Sequence, residues 1–219
     1  MKKNIAIISL LLGITTAWAG SITDDFNRTD TAYSTAGATI GANWVSADSS
    51  DKFSISGNEL LMDTVSAPGI LYNNAQQTLS GSGAKFTLSA DVAAPATAVW
   101  QGIVFNYQNE SNYYTLRFKT DTASWQLLSC STVGGKDKVV KSGNASAAFT
   151  AGTLYTLTVA SAAAYDFDFT IKTVGGGATL VSGKVVDTNS FFTGGYAGLY
   201  SGSQPKTPPD ARFDNFSLN

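Results

Sequence analysis

Two stretches decide the fold: Trp100-Gln101-Gly102-Ile103-Val104-Phe105-Asn106-Tyr107 and, after the polar residues 108–111, Asn112-Tyr113-Tyr114-Thr115-Leu116-Arg117-Phe118-Lys119. Large apolar side chains recur at every second position, which is the period of a strand and not of a helix. Folding the second stretch back on the first, with Tyr107 opposite Asn112, sets Phe105 against Tyr114 and Ile103 against Leu116. These pairs share one face with Tyr107, and that face is expected to be the core. The other face pairs Asn106 with Tyr113, Val104 with Thr115, Gly102 with Arg117 and Trp100 with Lys119. A slip of one residue would bury the charges, so the pattern fixes the register. A third segment, turning through 120–123, adds Trp125 and Leu127 to the core face and sets Gln126 beside Arg117.

The same period continues on both sides. Phe53 and Ile55 alternate with serines, Gly57 and Asn58 turn the chain, and Leu60 and Met62 return on the same face, which is a β-hairpin signature. Further period-two runs lie at 84–92, 123–130, 154–161, 165–173, 179–186, 196–201 and 211–218. Short strands at this spacing, with no helical period between them, predict an all-β antiparallel sandwich or barrel. The stretch Thr207-Pro208-Pro209 reads as a loop before the last strand, and residues 20–219 are expected to form one domain.

Composition narrows the chemistry. The chain has 219 residues with 14% charged, 21 glycines, no histidine and a single cysteine. Imidazole bases, histidine metal ligands, cysteine clusters and disulfide scaffolds are thereby excluded. Cys130 is expected to be a buried thiol. Residues 1–19 combine a basic start, an apolar run from Ile5 to Ile14 and the small-residue end Ala17-Trp18-Ala19, the pattern of a cleavable secretory signal. A secreted or periplasmic domain follows, with no segment long enough for membrane insertion. Cleavage would take Lys2 and Lys3 from the 14 basic residues and leave all 16 acidic ones. No basic stripe remains, so nucleic acid is not an expected partner. Lys136, Lys138 and Lys141, among glycines, read as a solvated loop.

The polar face of the central hairpin carries the candidate site: Trp100, Asn106, Tyr113, Arg117 and Gln126, with Lys119 beside them. A pyranose presents a C–H face that stacks on aromatic rings and equatorial hydroxyls that pair with planar amide and guanidinium groups. This residue mixture therefore suits a polysaccharide or other glycan as partner. Gly102, opposite Arg117, is expected to leave room above the sheet for a ligand.

The opening Asp24-Asp25-Phe26-Asn27-Arg28 with Trp44, the turn at Gly57-Asn58, the central Gln101-Gly102-Ile103-Val104-Phe105 leading to Asn112-Tyr113-Tyr114, Gly195-Tyr196-Ala197-Gly198-Leu199-Tyr200, and the closing Phe213-Asp214-Asn215-Phe216 resemble the concanavalin A-like lectin/glucanase superfamily. Within it, the resemblance is to laminin-G-like domains of secreted bacterial proteins. It implies a jelly-roll β-sandwich of two curved sheets, adjacent first and last strands, carbohydrate handling on the concave face, and a structural calcium ion in some members. If the chain ends meet, Asp24, Asp25 and Asp214 are the candidate calcium ligands; alternatively Asp25 and Asp214 cap turns or pair with Arg28 and Arg212. The resemblance leaves two other readings open. A polysaccharide hydrolase would use paired carboxyl groups, for which Asp166 and Asp168 are the nearest substitute with Lys172 further along; a lyase would use Tyr113 and Arg117, although the histidine such lyases use is missing. A structural or adhesive module would bind another protein instead.

Overall fold

The hairpin at Gly57 and Asn58 shows how the chain builds its sheets. Both residues take left-handed backbone angles, φ 61° and 65°, so the two-residue turn has the twist that adjoining strands require. Its strands then pair Phe53 with Met62 and Ile55 with Leu60, and all four side chains are buried. The computed structural model describes residues 21–32, 40–41, 43–48, 52–63, 69–78, 85–93, 99–131, 135–163, 165–188, 194–202 and 211–219. The expected signal segment and the loop at Thr207–Pro209 lie outside these residues.

Fifteen strands occur among the described residues: β1 (Ile22–Asp24), β2 (Trp44–Ser46), β3 (Lys52–Ser56), β4 (Glu59–Asp63), β5 (Gly69–Thr78), β6 (Phe86–Ala93), β7 (Trp100–Asn109), β8 (Asn112–Lys119), β9 (Ser124–Ser131), β10 (Gly135–Asn144), β11 (Tyr155–Ala163), β12 (Asp166–Thr173), β13 (Thr179–Val186), β14 (Gly195–Ser201) and β15 (Ala211–Leu218). They form two antiparallel sheets. One runs β13-β12-β11-β6-β15-β4-β3 with β1 on β15, and the other runs β10-β9-β8-β7-β14-β5-β2. The result is the jelly-roll sandwich expected of the sequence, with its first and last strands adjacent: Ile22 pairs with Leu218 and Asp24 with Phe216.

Between the sheets lies the main core, which includes Phe53, Leu88, Ile103, Phe105, Tyr114, Leu116, Leu157, Phe167, Phe213 and Phe216. Phe105 stacks on Tyr114 at 5.5 Å and meets Phe167 edge-on at 5.1 Å, so the central hairpin is keyed into the opposite sheet through aromatic contacts. The Tyr114 hydroxyl donates to buried Asp187 at 2.8 Å, giving the phenol a partner inside this core.

The register of β7 and β8 is as expected from Trp100↔Lys119 to Phe105↔Tyr114. Beyond Phe105 it departs from the expectation. Asn106 adopts φ 50°, extra residues are taken up in β7, and Asn109 pairs with Asn112. Asparagine tolerates the left-handed region that such a bulge needs. The bulge moves Tyr107 off the expected core face and into a second apolar cluster with Ile70, Val104, Tyr113, Cys130 and Tyr200. Neighbouring β14 fits against it through Gly195, where a Cβ would lie 2.5 Å from the Tyr107 carbonyl oxygen. In this second cluster Tyr72 stacks on Tyr107 at 4.7 Å and on Tyr196 at 5.2 Å.

Two further expectations change. The lysine-rich segment is not a loop but the edge strand β10, paired with β9 and broken by a bulge at Asp137, φ 56°. Charged residues and bulges are how an edge strand avoids pairing with other chains. Gly102 does not open a space. A Cβ there would meet the Leu116 carbonyl oxygen at 2.1 Å, so glycine is required by the close approach of β8.

Gly102→Ala should therefore destabilise the domain by about 2 kcal/mol or more in chemical denaturation, whereas Gly57→Ala, with no neighbour within 4 Å but a left-handed backbone, should cost about 1 kcal/mol. Equal losses would show that β7 and β8 are not in this close contact. Burial pushes the phenols of Tyr72, Tyr107, Tyr113 and Tyr200 above the ordinary tyrosine value, and at Tyr114 the bond to Asp187 adds to burial. A raised folded-state pKa contributes stability that is complete below about pH 10 and is lost as pH rises through the folded values. In an alkaline titration, phenolate absorbance from these rings should appear together with loss of near-ultraviolet ellipticity; smooth ionisation with the fold intact would contradict the packing.

Candidate functional site

Three of the five sequence-selected residues come together. Antiparallel pairing sets Arg117 beside Gly102 on one side and Gln126 on the other, and sets Tyr200 on the far side of Gly102. The Arg117 Nη1 reaches across to the Tyr200 hydroxyl, donating to it at 2.8 Å. Its Nε and Nη2 donate to the Gln126 Oε1 at 3.2 and 2.9 Å. The guanidinium carbon lies 4.7 Å from the centre of the Trp100 ring and 5.6 Å from that of Tyr200. A cation thus sits between two aromatic faces, oriented by neutral oxygen acceptors. Burial pushes the Tyr200 phenol up, and the Arg117 charge acts in the opposite sense.

Beside this group opens a cleft of about 290 Å³, lined by Trp100, Ser124, Trp125, Gln126, Ser142 and Asn144 together with Gly143. Trp100, Arg117 and Gln126 are partly exposed. Asn106 and Tyr113 are placed differently: Asn106 lies in the β7 bulge at 7% exposure and Tyr113 beneath the surface at 3%. Tyr113 packs 6.2 Å from Tyr107 and is paired across the strands with Cys130, the buried free thiol. Tyr200, Ser142 and Asn144 were not selected from the sequence. The alternation Tyr196-Gly198-Tyr200, outward against inward Ala197 and Leu199, carries a signal for Tyr200; β10 offers no comparable pattern.

The three aspartates at the chain ends are engaged in other ways. Asp24 accepts from the Phe26 N–H at 2.9 Å, from the Arg28 Nη2 at 2.9 and 2.7 Å, and from the Trp44 Nε1 at 2.8 Å. Asp25 accepts from the Asn27 N–H at 3.1 Å, and Asp214 from the Asn215 N–H at 2.8 Å and its Nδ2 at 3.1 Å. Burial pushes the Asp214 carboxyl up, the nearby Asp91, Glu59 and Asp25 charges add to this, and the Asn215 N–H opposes it. Calcium takes six to eight oxygen ligands. With both Asp24 oxygens occupied by donors, and no group of three or more acidic or cysteine side chains able to hold a metal among the described residues, this set does not fit the ion. Arg212 pairs with Glu59 at 2.9 Å and not with Asp214. The larger cleft here, about 560 Å³, is walled in part by these already bonded groups.

Asp166 and Asp168 lie on β12, in the opposite sheet from Arg117. Asp166 is bridged to Lys184 at 3.0 Å, and Asp168 lines a small recess with Thr158, Thr170 and Ser182.

The fold has counterparts among solved structures. The carbohydrate-binding module CBM66 from Bacillus subtilis superposes with a TM-score of 0.57 at 12% identity, covering 79% of this chain and 91% of its own. Lectin II from Ulex europaeus does so with 0.59 at 10%, covering 90% and 97%. The exoplasmic/lumenal domain of VIP36, in a form bound to Ca2+ and Man3GlcNAc, gives 0.56 at 8%, covering 81% and 84%. No curated protein matches the sequence. Residues 24–219 match the family described as the beta xylosidase C-terminal concanavalin A-like domain, and since that match spans most of the sequence, the chain belongs to this family.

Proposed function

We propose that the chain is an exported, non-catalytic carbohydrate-binding domain whose ligand lies against Trp100 and the adjoining cleft. The observation that carries this reading is the juxtaposition of a partly exposed indole, an oriented guanidinium and amide, and a cleft lined by Ser124, Ser142 and Asn144. An aromatic plane accepts the C–H face of a sugar, while hydroxyl and amide groups pair with its equatorial hydroxyls. Tyr113 supports this surface from below through the tyrosine cluster on which Tyr200 also rests, while Asn106 lies in the β7 bulge. Hydrolysis would need two carboxyl groups flanking one bond, whereas the described cleft lining consists of rings, hydroxyls and amides. Fold counterparts named as a carbohydrate-binding module and a lectin are consistent with the same use of the scaffold.

The test is retention on a panel of plant, algal and bacterial polysaccharides, with released sugar ends measured in parallel. Wild-type protein should be retained without generating new ends. Trp100→Ala, with its fold checked by near-ultraviolet ellipticity, should weaken retention by about tenfold or more, the scale of one lost aromatic stacking contact. Asn144→Ala, on the cleft wall, should weaken it while leaving the core untouched. Unchanged retention in both variants would place the ligand elsewhere, and new sugar ends would make the protein an enzyme.

A further inference from the structure

The protein has three arginines, Arg28, Arg117 and Arg212. Arg28 is bridged to Asp24 and Arg212 to Glu59. Arg117 is different: its partners are the amide oxygen of Gln126, the hydroxyl of Tyr200 and two aromatic faces, all uncharged. Lys119, two residues along the same strand and paired with Trp100, likewise has no ion-pair partner among the described residues. Asp137, the acidic residue that bears on Tyr113 and Tyr200 from β10, forms no ion pair with Arg117. Holding a partly buried guanidinium without a counter-charge is costly, and compensation by an anion is correspondingly favourable. The Arg117 Nη1 and Nη2 each carry two hydrogens, and each spends one on a protein acceptor here. The fork therefore keeps donors for a planar anion while its orientation is already fixed.

We infer that Arg117, with Lys119 beside it, is the receptor for an anionic group on the bound polysaccharide, a uronate carboxylate or a sulfate ester, so that the site selects acidic over neutral glycans. This rests on the carbohydrate reading of the Trp100 cleft and adds the ligand class to it. The Trp100 ring would take the sugar face and Arg117, stacked on the same ring, the charged substituent of that unit or its neighbour.

The experiment compares three sets of polymers by affinity electrophoresis and calorimetry: uronate-containing, sulfated, and neutral ones of similar backbone. At least one acidic set should bind about tenfold or more tighter than its neutral counterpart, the lower end for a charge-assisted hydrogen bond, and the preference should shrink as salt is raised. Which of the two acidic sets binds identifies the carboxylate or the sulfate as the group recognised. Arg117→Gln should abolish the preference for acidic polymers; because Arg117 also packs on Trp100, Lys119→Gln serves as a second variant in which the preference should fall and the fold stay intact. Neutral and acidic polymers bound equally through Trp100 would overturn this inference and leave the carbohydrate reading standing. A protein that binds none of the polymers would overturn both.

Discussion

The pairing of β7 with β8 is the constraint on which the molecule turns. Once Phe105 faces Tyr114 and Ile103 faces Leu116, the alternation of strand side chains leaves each neighbouring residue one of two sides. Phe105 and Tyr114 lock onto Phe167 of the other sheet, and the cost of removing such rings from a packed core is about 3–5 kcal/mol each. The same geometry sends Trp100, Arg117 and Gln126 to the opposite side. The proposed ligand surface is thus the reverse of the core, and one cannot be shifted without dismantling the other.

That reverse side is not uniformly polar. Tyr107, Tyr113 and Tyr200 gather with Ile70, Val104 and Cys130 into a second buried cluster, against which the partly buried Tyr72, Tyr196 and Trp100 pack; beyond Trp100 the surface opens into the neighbouring cleft. Arg117 stands at the boundary. Its contact with Tyr200 ties it to the buried end and its stacking on Trp100 ties it to the open end. A cation anchored in this way loses little conformational freedom when it meets a ligand, because the ordering has been done by folding.

Where alternation was strong, the sequence was readable. The residues of β7 as far as Phe105, those of β8 and β9, and the turn at Gly57 took the places their pattern requires. The Asn106 bulge was not readable, because nothing local distinguishes an asparagine that continues a strand from one that adopts a positive φ; Tyr107 changed sides as a result. Strand β10 was hidden because an edge strand of lysines and glycines has no buried face to impose a period. Strand β5 was hidden because its apolar start at Ile70 and Leu71 runs into the amide-rich Asn73-Asn74-Ala75-Gln76-Gln77, which breaks the alternation. Of the site, the local neighbours Arg117 and Gln126 could be placed from one hairpin. Tyr200 comes from β14, far along the chain, and its approach to Arg117 depends on a non-local pairing across Gly102. The opening Asp24-Asp25 motif was legible as a motif, but its role proved to be a clasp in which Asp24 gathers Phe26, Arg28 and Trp44.

That clasp sits where β1 meets β15, antiparallel, with Ile22 beside Leu218. Both ends of the domain therefore leave from one corner. The same corner has a mechanical meaning. Tension applied through the two ends would peel β1 from β15, loading the rungs of the ladder in succession instead of sharing the force among them. The first strand would yield well before the sandwich, and the Asp24 clasp at its inner end is the point where peeling would have to stop or the domain begin to open.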